Sequence, residues 1–352
     1  KYVATVRFHT EGVEAELYIR QAKKEIAATL KVQEKEILFT SGGSESNNLA
    51  LIGGALANKR TGNHVISTSI EHPSVYRPLE VLEELGYEVT FLPVDRKGHI
   101  SLDMLREAIR QDTVLVSVMY VNNEIGAVEP VEEISKVIKE KNPSTLFHVD
   151  AIQAYGKYRI RPKKQGIDLL SVSGHKIHGP KGVGFLYIRD GVKVKPMIYG
   201  GGQQNHMRSG TENVPGVAGL GVAAREMYTN HEEKVAHLID LKDYMIGQME
   251  ELEGVVVNSL RGRESAPQIV SVSFQGVRSE VLLHALEEKG IYVSSGSACS
   301  AHHPQVSGTL KGVGISEKLL DSTLRFSFGM FNTKEEIDYC IHVLKELLPF
   351  LR

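Results

Sequence analysis

The sequence has 352 residues, 41% hydrophobic and 24% charged, an ordinary globular composition in a chain long enough for more than one core of usual size. Lys and Arg number 41 against 43 Asp and Glu, a formal charge of −2, so no summed field favours nucleic acid or an anionic membrane, and a small-molecule substrate is the expectation. With no apolar run of about 18 residues and no signal-peptide pattern from Lys1 onward, the chain reads as soluble and cytoplasmic.

From Glu36 to Ile188, short β-branched runs alternate with longer segments of helical period, the pattern of an α/β domain with a mostly parallel sheet. Seven strands are expected, at Glu36–Thr40, His64–Ile70, Glu88–Val94, Thr113–Val121, Thr145–Asp150, Ile167–Val172 and Val183–Ile188. Helices are expected near Glu45–Asn58, Ser74–Leu85, Ser101–Arg110 and Val131–Lys141. A glycine-rich stretch from Gly200 to Gly216 then leads into a helical segment, Gly219–Leu252, that reads as a domain connector. Beyond it, strands at Val255–Val257, Gln268–Phe274 and Thr323–Phe328 alternate with helices at Ser279–Lys289 and Lys334–Leu348. The expected organisation is a large domain, 1–231, and a smaller C-terminal α+β domain, 232–352. Ligands of such sheets sit outside the carboxyl ends of the strands.

Several of those strand ends are polar. Thr40-Ser41-Gly42-Gly43-Ser44 follows a strand and opens a helix, so its free N–H groups suit an anion such as phosphate, or a plain N-cap. Asp150 ends Leu146-Phe147-His148-Val149-Asp150; a buried carboxylate needs a partner, and either a pyridinium N–H or the N-terminus of a following helix would serve. Gln153 lies three residues on. Lys176, in Ser173-Gly174-His175-Lys176, follows an apolar strand beside His175, where partial desolvation would free its amine for imine formation; most lysines in such places are merely solvated. Together, a phosphate cradle, an acid for a ring nitrogen and an imine-forming lysine point to pyridoxal phosphate.

The chain has two cysteines, Cys299 and Cys340, with no spacing suited to a structural zinc and no disulfide framework. Cys299 sits in a run of small residues without amphipathic period, expected as a mobile loop, where a thiol is better explained as a nucleophile than as core filler. Cys340 shares helical spacing with Ile337, Ile341, Leu344 and Leu348 and reads as core. His175 and His178 lack further ligands, so no metal site is expected there.

These residues carry a resemblance. The chain resembles the cysteine desulfurases of the NifS/IscS type, within the class V aminotransferases of the fold type I pyridoxal-phosphate enzymes. The likeness rests on Thr40-Ser41-Gly42-Gly43-Ser44-Glu45-Ser46-Asn47-Asn48, Glu71-His72-Pro73, Val121-Asn122-Asn123-Glu124-Ile125-Gly126, His148-Val149-Asp150-Ala151-Ile152-Gln153, Ser173-Gly174-His175-Lys176, Met207-Arg208-Ser209-Gly210-Thr211 and Ser294-Ser295-Gly296-Ser297-Ala298-Cys299. It implies that Lys176 holds pyridoxal 5′-phosphate as a Schiff base. Gly43, Ser44, Ser173 and His175 would bind the phosphate, with Thr211 reaching it from the other subunit of a homodimer. Asp150 would pair with the pyridine nitrogen, Gln153 with the phenolic oxygen, and His72 would stack on the ring and assist proton transfer. Asn123 and Arg325 would hold the substrate carboxylate, for which a guanidinium fork suits. Cys299 would attack the sulfur of L-cysteine, becoming a persulfide and leaving alanine. The implied partners are a sulfur-acceptor or iron–sulfur scaffold protein, with Cys299 as the one candidate for a transient iron–sulfur ligand and no resident metal.

Two departures stand out. Nothing before His9 matches the Asp-x-Ala-Thr-Thr type motif that borders the site in the family, and Ser300-Ala301-His302-His303 differs from its usual continuation after the cysteine. The length of Ser294–Gly314 resembles the long-loop group that serves iron–sulfur assembly. The competing expectations are a class V lyase or transaminase in which Cys299 is dispensable, and an inactive, cofactor-bearing scaffold.

Overall fold

The structure is a computed structural model in which residues 10–295 and 307–352 are described. Cys299 therefore lies outside the described residues. The chain forms two compact units: one takes the chain up to Leu92, Ser101–Tyr120 and Pro130–His231, the other Pro93–Ile100, Val121–Glu129 and Glu232–Arg352.

The first unit holds seven strands: β1 Ile37–Thr40, β2 His64–Thr68, β3 Glu88–Leu92, β4 Thr113–Met119, β5 Leu146–Asp150, β6 Leu169–Ser173 and β7 Gly184–Ile188, in the order β1-β7-β6-β5-β4-β2-β3. β2 to β6 pair in parallel, while β7 runs antiparallel to both β6 and β1. β4, β5 and β6 are buried along their whole length, which is why they read as continuous apolar runs rather than alternating ones. Register places the site. Gly184 stands opposite Thr40 on one side and Ser173 on the other, and Asp150 stands opposite Met119 and Ser171, so the carboxyl ends of β1, β6 and β5 come out together.

The sequence reading did not place the helix Thr10–Leu30. Its buried stripe, Ala15, Ile19, Ala22, Ile26 and Leu30, has helical spacing, but two of the five are alanines, which weakens the apolar signal. Ala22 meets Gly221 of the helix Val214–Tyr228, where an added Cβ would stand 2.6 Å from the Ala22 Cα. The expected single segment Gly219–Leu252 is two helices, Val214–Tyr228 and His231–Glu250, broken where Asn230 takes a φ of 50°.

The second unit holds an antiparallel sheet of β8 Val255–Val257, β9 Ile269–Phe274, β10 Ser294–Ser295 and β11 Thr323–Ser327, in the order β10-β11-β9-β8. Its core gathers Leu241, Phe274, Leu286, Leu324, Phe326, Cys340 and Leu344. Cys340 is a packing residue, its thiol pushed up to about 12 by burial. Two short pieces of the earlier chain, Pro93–Ile100 and Val121–Glu129, belong to this unit. Among the described residues no helix is long and apolar enough to cross a membrane.

Candidate active site

In the first unit, β1 ends at Thr40 and the chain turns straight into a helix starting at Gly43. A Cβ on Gly43 would stand 2.2 Å from the Ile152 Cδ1, so glycine lets this helix start approach the turn after β5 without displacing the Ile152 side chain. Opening N–H groups of a helix have no acceptor within it, so Gly43 and Ser44 offer donors to an anion. Glu45, in the first turn, accepts from Arg208 Nε at 2.8 Å, Arg208 Nη2 at 3.2 Å and the Ser41 N–H at 2.8 Å. Burial opposes ionisation of Glu45, but the bonds from Arg208 and Ser41 outweigh it and its carboxyl stays below the usual value. This pair ties the Arg208–Thr211 segment to the same helix start; Thr211 itself is exposed.

β2 ends at Thr68. The buried Glu71 carboxylate accepts from the Thr68 hydroxyl at 2.7 Å and the Met119 N–H at 2.9 Å, which pins the following loop to the end of β4. His72 is thereby set as N-cap of the helix Pro73–Glu84, and its Nδ1 accepts the Ser74 N–H at 3.1 Å. The Ser74 hydroxyl lies 2.8 Å from the same nitrogen. Asn47 then bridges, its amide donating to Ser74 Oγ at 2.9 Å and to Asp150 Oδ2 at 2.8 Å. The order of donors follows: both Asn47 hydrogens are used, Nδ1 of His72 is an acceptor, and the neutral ring keeps its proton on Nε2. Burial and then the nearby Lys176 ammonium pull the His72 ring below its ordinary value, against the opposing pull of Asp150.

Asp150 is buried at the end of β5 and accepts also from the Ile152 N–H at 3.0 Å. Burial raises its pKa, and these two hydrogen bonds and His72 only partly offset that. Gln153 is half-buried in the turn that follows. At the end of β6, Ser173 and His175 bond each other, Oγ to Nδ1 at 2.9 Å, and Lys176 is half-buried in the tight turn Gly174–Ile177. The carbonyl of Lys176 accepts from Lys157 Nζ at 2.6 Å.

The second unit holds the other two predicted residues. The Asn122 side-chain oxygen accepts from the N–H groups of Glu124 at 2.9 Å and Ile125 at 3.0 Å, and Gly126 closes the turn at a φ of 79° that favours glycine. Arg325 of β11 donates from Nη1 to the Asn123 carbonyl at 2.7 Å. Burial raises the Glu124 carboxyl, while the hydroxyls of Ser307 and Thr309 and the charge of Arg325 pull the other way.

The first unit's side chains fit pyridoxal phosphate. A buried carboxylate with a raised pKa calls for a cation such as a pyridinium N–H; a half-buried lysine follows on the adjacent strand; a histidine ring and a turn of free N–H groups complete the set. The sequence reading missed Asn47, Ser74, Asn122, Glu45 and Lys157 as partners. The first four lay within or beside the quoted motifs; nothing in the sequence marked Lys157.

The family profile described as Aminotransferase class-V matches residues 1–340, and with the fold and site it defines the class as fold type I pyridoxal-phosphate enzymes. The chain is 41% identical to the cysteine desulfurase IscS of Dictyoglomus turgidum over 345 residues, covering 98% of this chain and 87% of the relative. It is 44% identical to that of Methanosarcina thermophila over 334 residues, covering 95% and 82%. Among solved structures, a NifS-like protein superposes with a TM-score of 0.94 at 36% identity, covering 99% of this chain and 92% of that one. SspA in complex with cysteine superposes with a TM-score of 0.79 at 36% identity, covering 94% and 92%. The chain belongs to the cysteine desulfurases of the IscS/NifS family. Its cofactor is pyridoxal 5′-phosphate, and its activity removes sulfur from cysteine through an enzyme persulfide.

Proposed function

We propose that the catalytic roles fall on Lys176, His72 and Cys299, and that sulfur taken from L-cysteine leaves on Cys299 for an acceptor or iron–sulfur scaffold protein. The observation that carries this reading is the hydrogen-bonded set Asp150–Asn47–Ser74–His72 at the carboxyl ends of β5 and β2, next to the Lys176 turn at the end of β6. When bound, pyridoxal phosphate supplies an electron sink for the carbon that loses its bond to sulfur.

The protein's own groups do the rest. Gly43, Ser44, Ser173 and His175 offer donors to the phosphate, Asp150 holds a proton on the ring nitrogen, Gln153 bonds the phenolic oxygen, and Lys176 anchors the cofactor. His72, its Nδ1 engaged by Ser74, would keep its proton on Nε2 and stack on the ring. Arg325, with Asn123, orients the substrate carboxylate. The Cys299 thiolate forms an S–S bond to the substrate sulfur as the C–S bond breaks; the electron pair goes to carbon, a proton follows, and alanine leaves. Thr211, exposed at the end of the segment anchored by Arg208, suits a donor to the cofactor of a second subunit, which supports a homodimer as the working form; a cytoplasmic location is proposed with it on the sequence alone.

Borohydride reduction of the holoenzyme followed by peptide mapping is expected to mark Lys176. Incubation with L-cysteine is expected to give alanine and a persulfide on Cys299. Full alanine production by Cys299→Ala would overturn the assignment of sulfur transfer to that residue.

A further inference from the structure

Asn123 and Arg325 both belong to the second unit, one on the turn Asn122–Gly126 and the other on β11. They are far apart in the chain, so their spacing depends on what holds the turn against the sheet. Two contacts bear on it besides the Arg325 bond to the Asn123 carbonyl. The Ala266 N–H donates to Gly126 O at 2.7 Å, and the Ser259 hydroxyl donates to Ile125 O at 2.8 Å.

Ser259 is buried just past the end of β8. At Asn258 the main chain still follows the ladder, its N–H donating to Ser271 O at 2.8 Å. At Ser259 the side chain takes over, its oxygen accepting the Ser271 N–H at 2.9 Å. A main-chain carbonyl could accept that bond but has no hydrogen to pass on; a hydroxyl does both. Ser271 stands opposite Arg325 in the pairing of β9 with β11. The contacts therefore close a ring: Arg325 to Asn123, along the turn to Ile125, through Ser259 to Ser271, and across the sheet to Arg325. The segment after Ser259 is pinned in turn, since the buried Lys242 ammonium donates to Gly262 O at 2.7 Å and to Ser265 O and Oγ, each at 3.1 Å.

We propose that Ser259 is a positioning residue for the substrate carboxylate: its hydroxyl ties the turn to the sheet and so fixes the gap between Asn123 and Arg325. The inference rests on the reading of those two residues as the carboxylate holders. A carboxylate gripped from two sides loses affinity when the gap between the grips drifts, whereas a ligand without that group does not sense it.

The test compares two amines on the holoenzyme, L-alanine and ethylamine, which is alanine without its carboxylate, each titrated by the change in cofactor absorbance. Ser259→Ala is expected to weaken L-alanine by about fivefold, the loss of one hydrogen bond, and to leave ethylamine unchanged. Equal losses for both ligands would reduce Ser259 to a general packing role and overturn the inference, as would unchanged L-alanine binding. Arg325→Ala separates the two levels. If it too fails to discriminate between the ligands, the carboxylate assignment itself falls; if it discriminates and Ser259→Ala does not, only the role of Ser259 is lost. Should Ser259→Ala not fold by circular dichroism, hydrogen exchange of the wild type decides. The Glu124, Ile125 and Gly126 amides are expected to exchange as slowly as those of β9, and exchange at the rate of exposed loops would overturn the tie.

Discussion

The two units bring their functional side chains together in different ways. In the first, Asp150, Lys176, Ser173, Gly43 and His72 sit at or just beyond the carboxyl ends of strands, and short side-chain hydrogen bonds lock Asp150, Asn47, Ser74 and His72 into one set. In the second, Arg325 meets a turn 202 positions earlier in the chain and bonds its main-chain oxygen, not a side chain. The first arrangement is a chemical centre whose proton positions are dictated by its neighbours. The second is an orienting contact, in which a guanidinium is steadied by a main-chain carbonyl.

Substitutions can break this distinction. The largest effect is expected from Lys176→Ala, which removes the anchor and should lower turnover by about 10³- to 10⁴-fold, with no residue trapped by borohydride. Arg325→Ala should act on binding: losing a charge-assisted pair worth about 1.5–3 kcal/mol lowers kcat/KM by ~10- to 150-fold, mainly through KM. A fall in kcat with KM unchanged would place Arg325 in the chemistry and collapse the contrast between the units. Asn47→Ala cuts the link between Asp150 and Ser74 without touching either. The Asp150 carboxylate then loses one donor to its charged form, and kcat is expected to fall by about fivefold, for roughly 1 kcal/mol per bond. KM for cysteine should be nearly unchanged.

The same contrast governs what could be read from the sequence. Val131–Lys141 and Val255–Val257 have the expected ends, and Asp150 and Lys176 stand at strand ends as their flanking apolar runs required. Contiguous motifs are legible because backbone geometry brings near neighbours to one place. The Asn47–Ser74 bond joins positions 27 apart and Glu45–Arg208 positions 163 apart, so both depend on sheet order, which local periodicity does not encode. Burial of isolated polar groups is equally hidden. Lys157 and Lys242 look like solvated lysines in the sequence, yet both are pushed down to about 8 by burial, and the Lys242 ammonium donates to Gly262 O at 2.7 Å and Ser265 O at 3.1 Å.

Glu129, in the second unit, gives the smallest effect and the cleanest sign. Its buried carboxyl accepts the Ile100 N–H, with oxygens at 3.2 and 3.4 Å, and burial raises its pKa to about 8, the hydrogen bond opposing and Asp95 adding. In the unfolded chain the group titrates near 4.5. Between that value and about 8 the folded state keeps a proton that the unfolded state has released, so folding stability falls as pH rises through this window. Glu129→Gln keeps an acceptor for Ile100 and removes the ionisation. Its melting temperature should therefore overtake that of the wild type progressively from about pH 5 to pH 8 and run parallel above. Parallel curves throughout would mean that Glu129 ionises normally and that burial does not hold its proton.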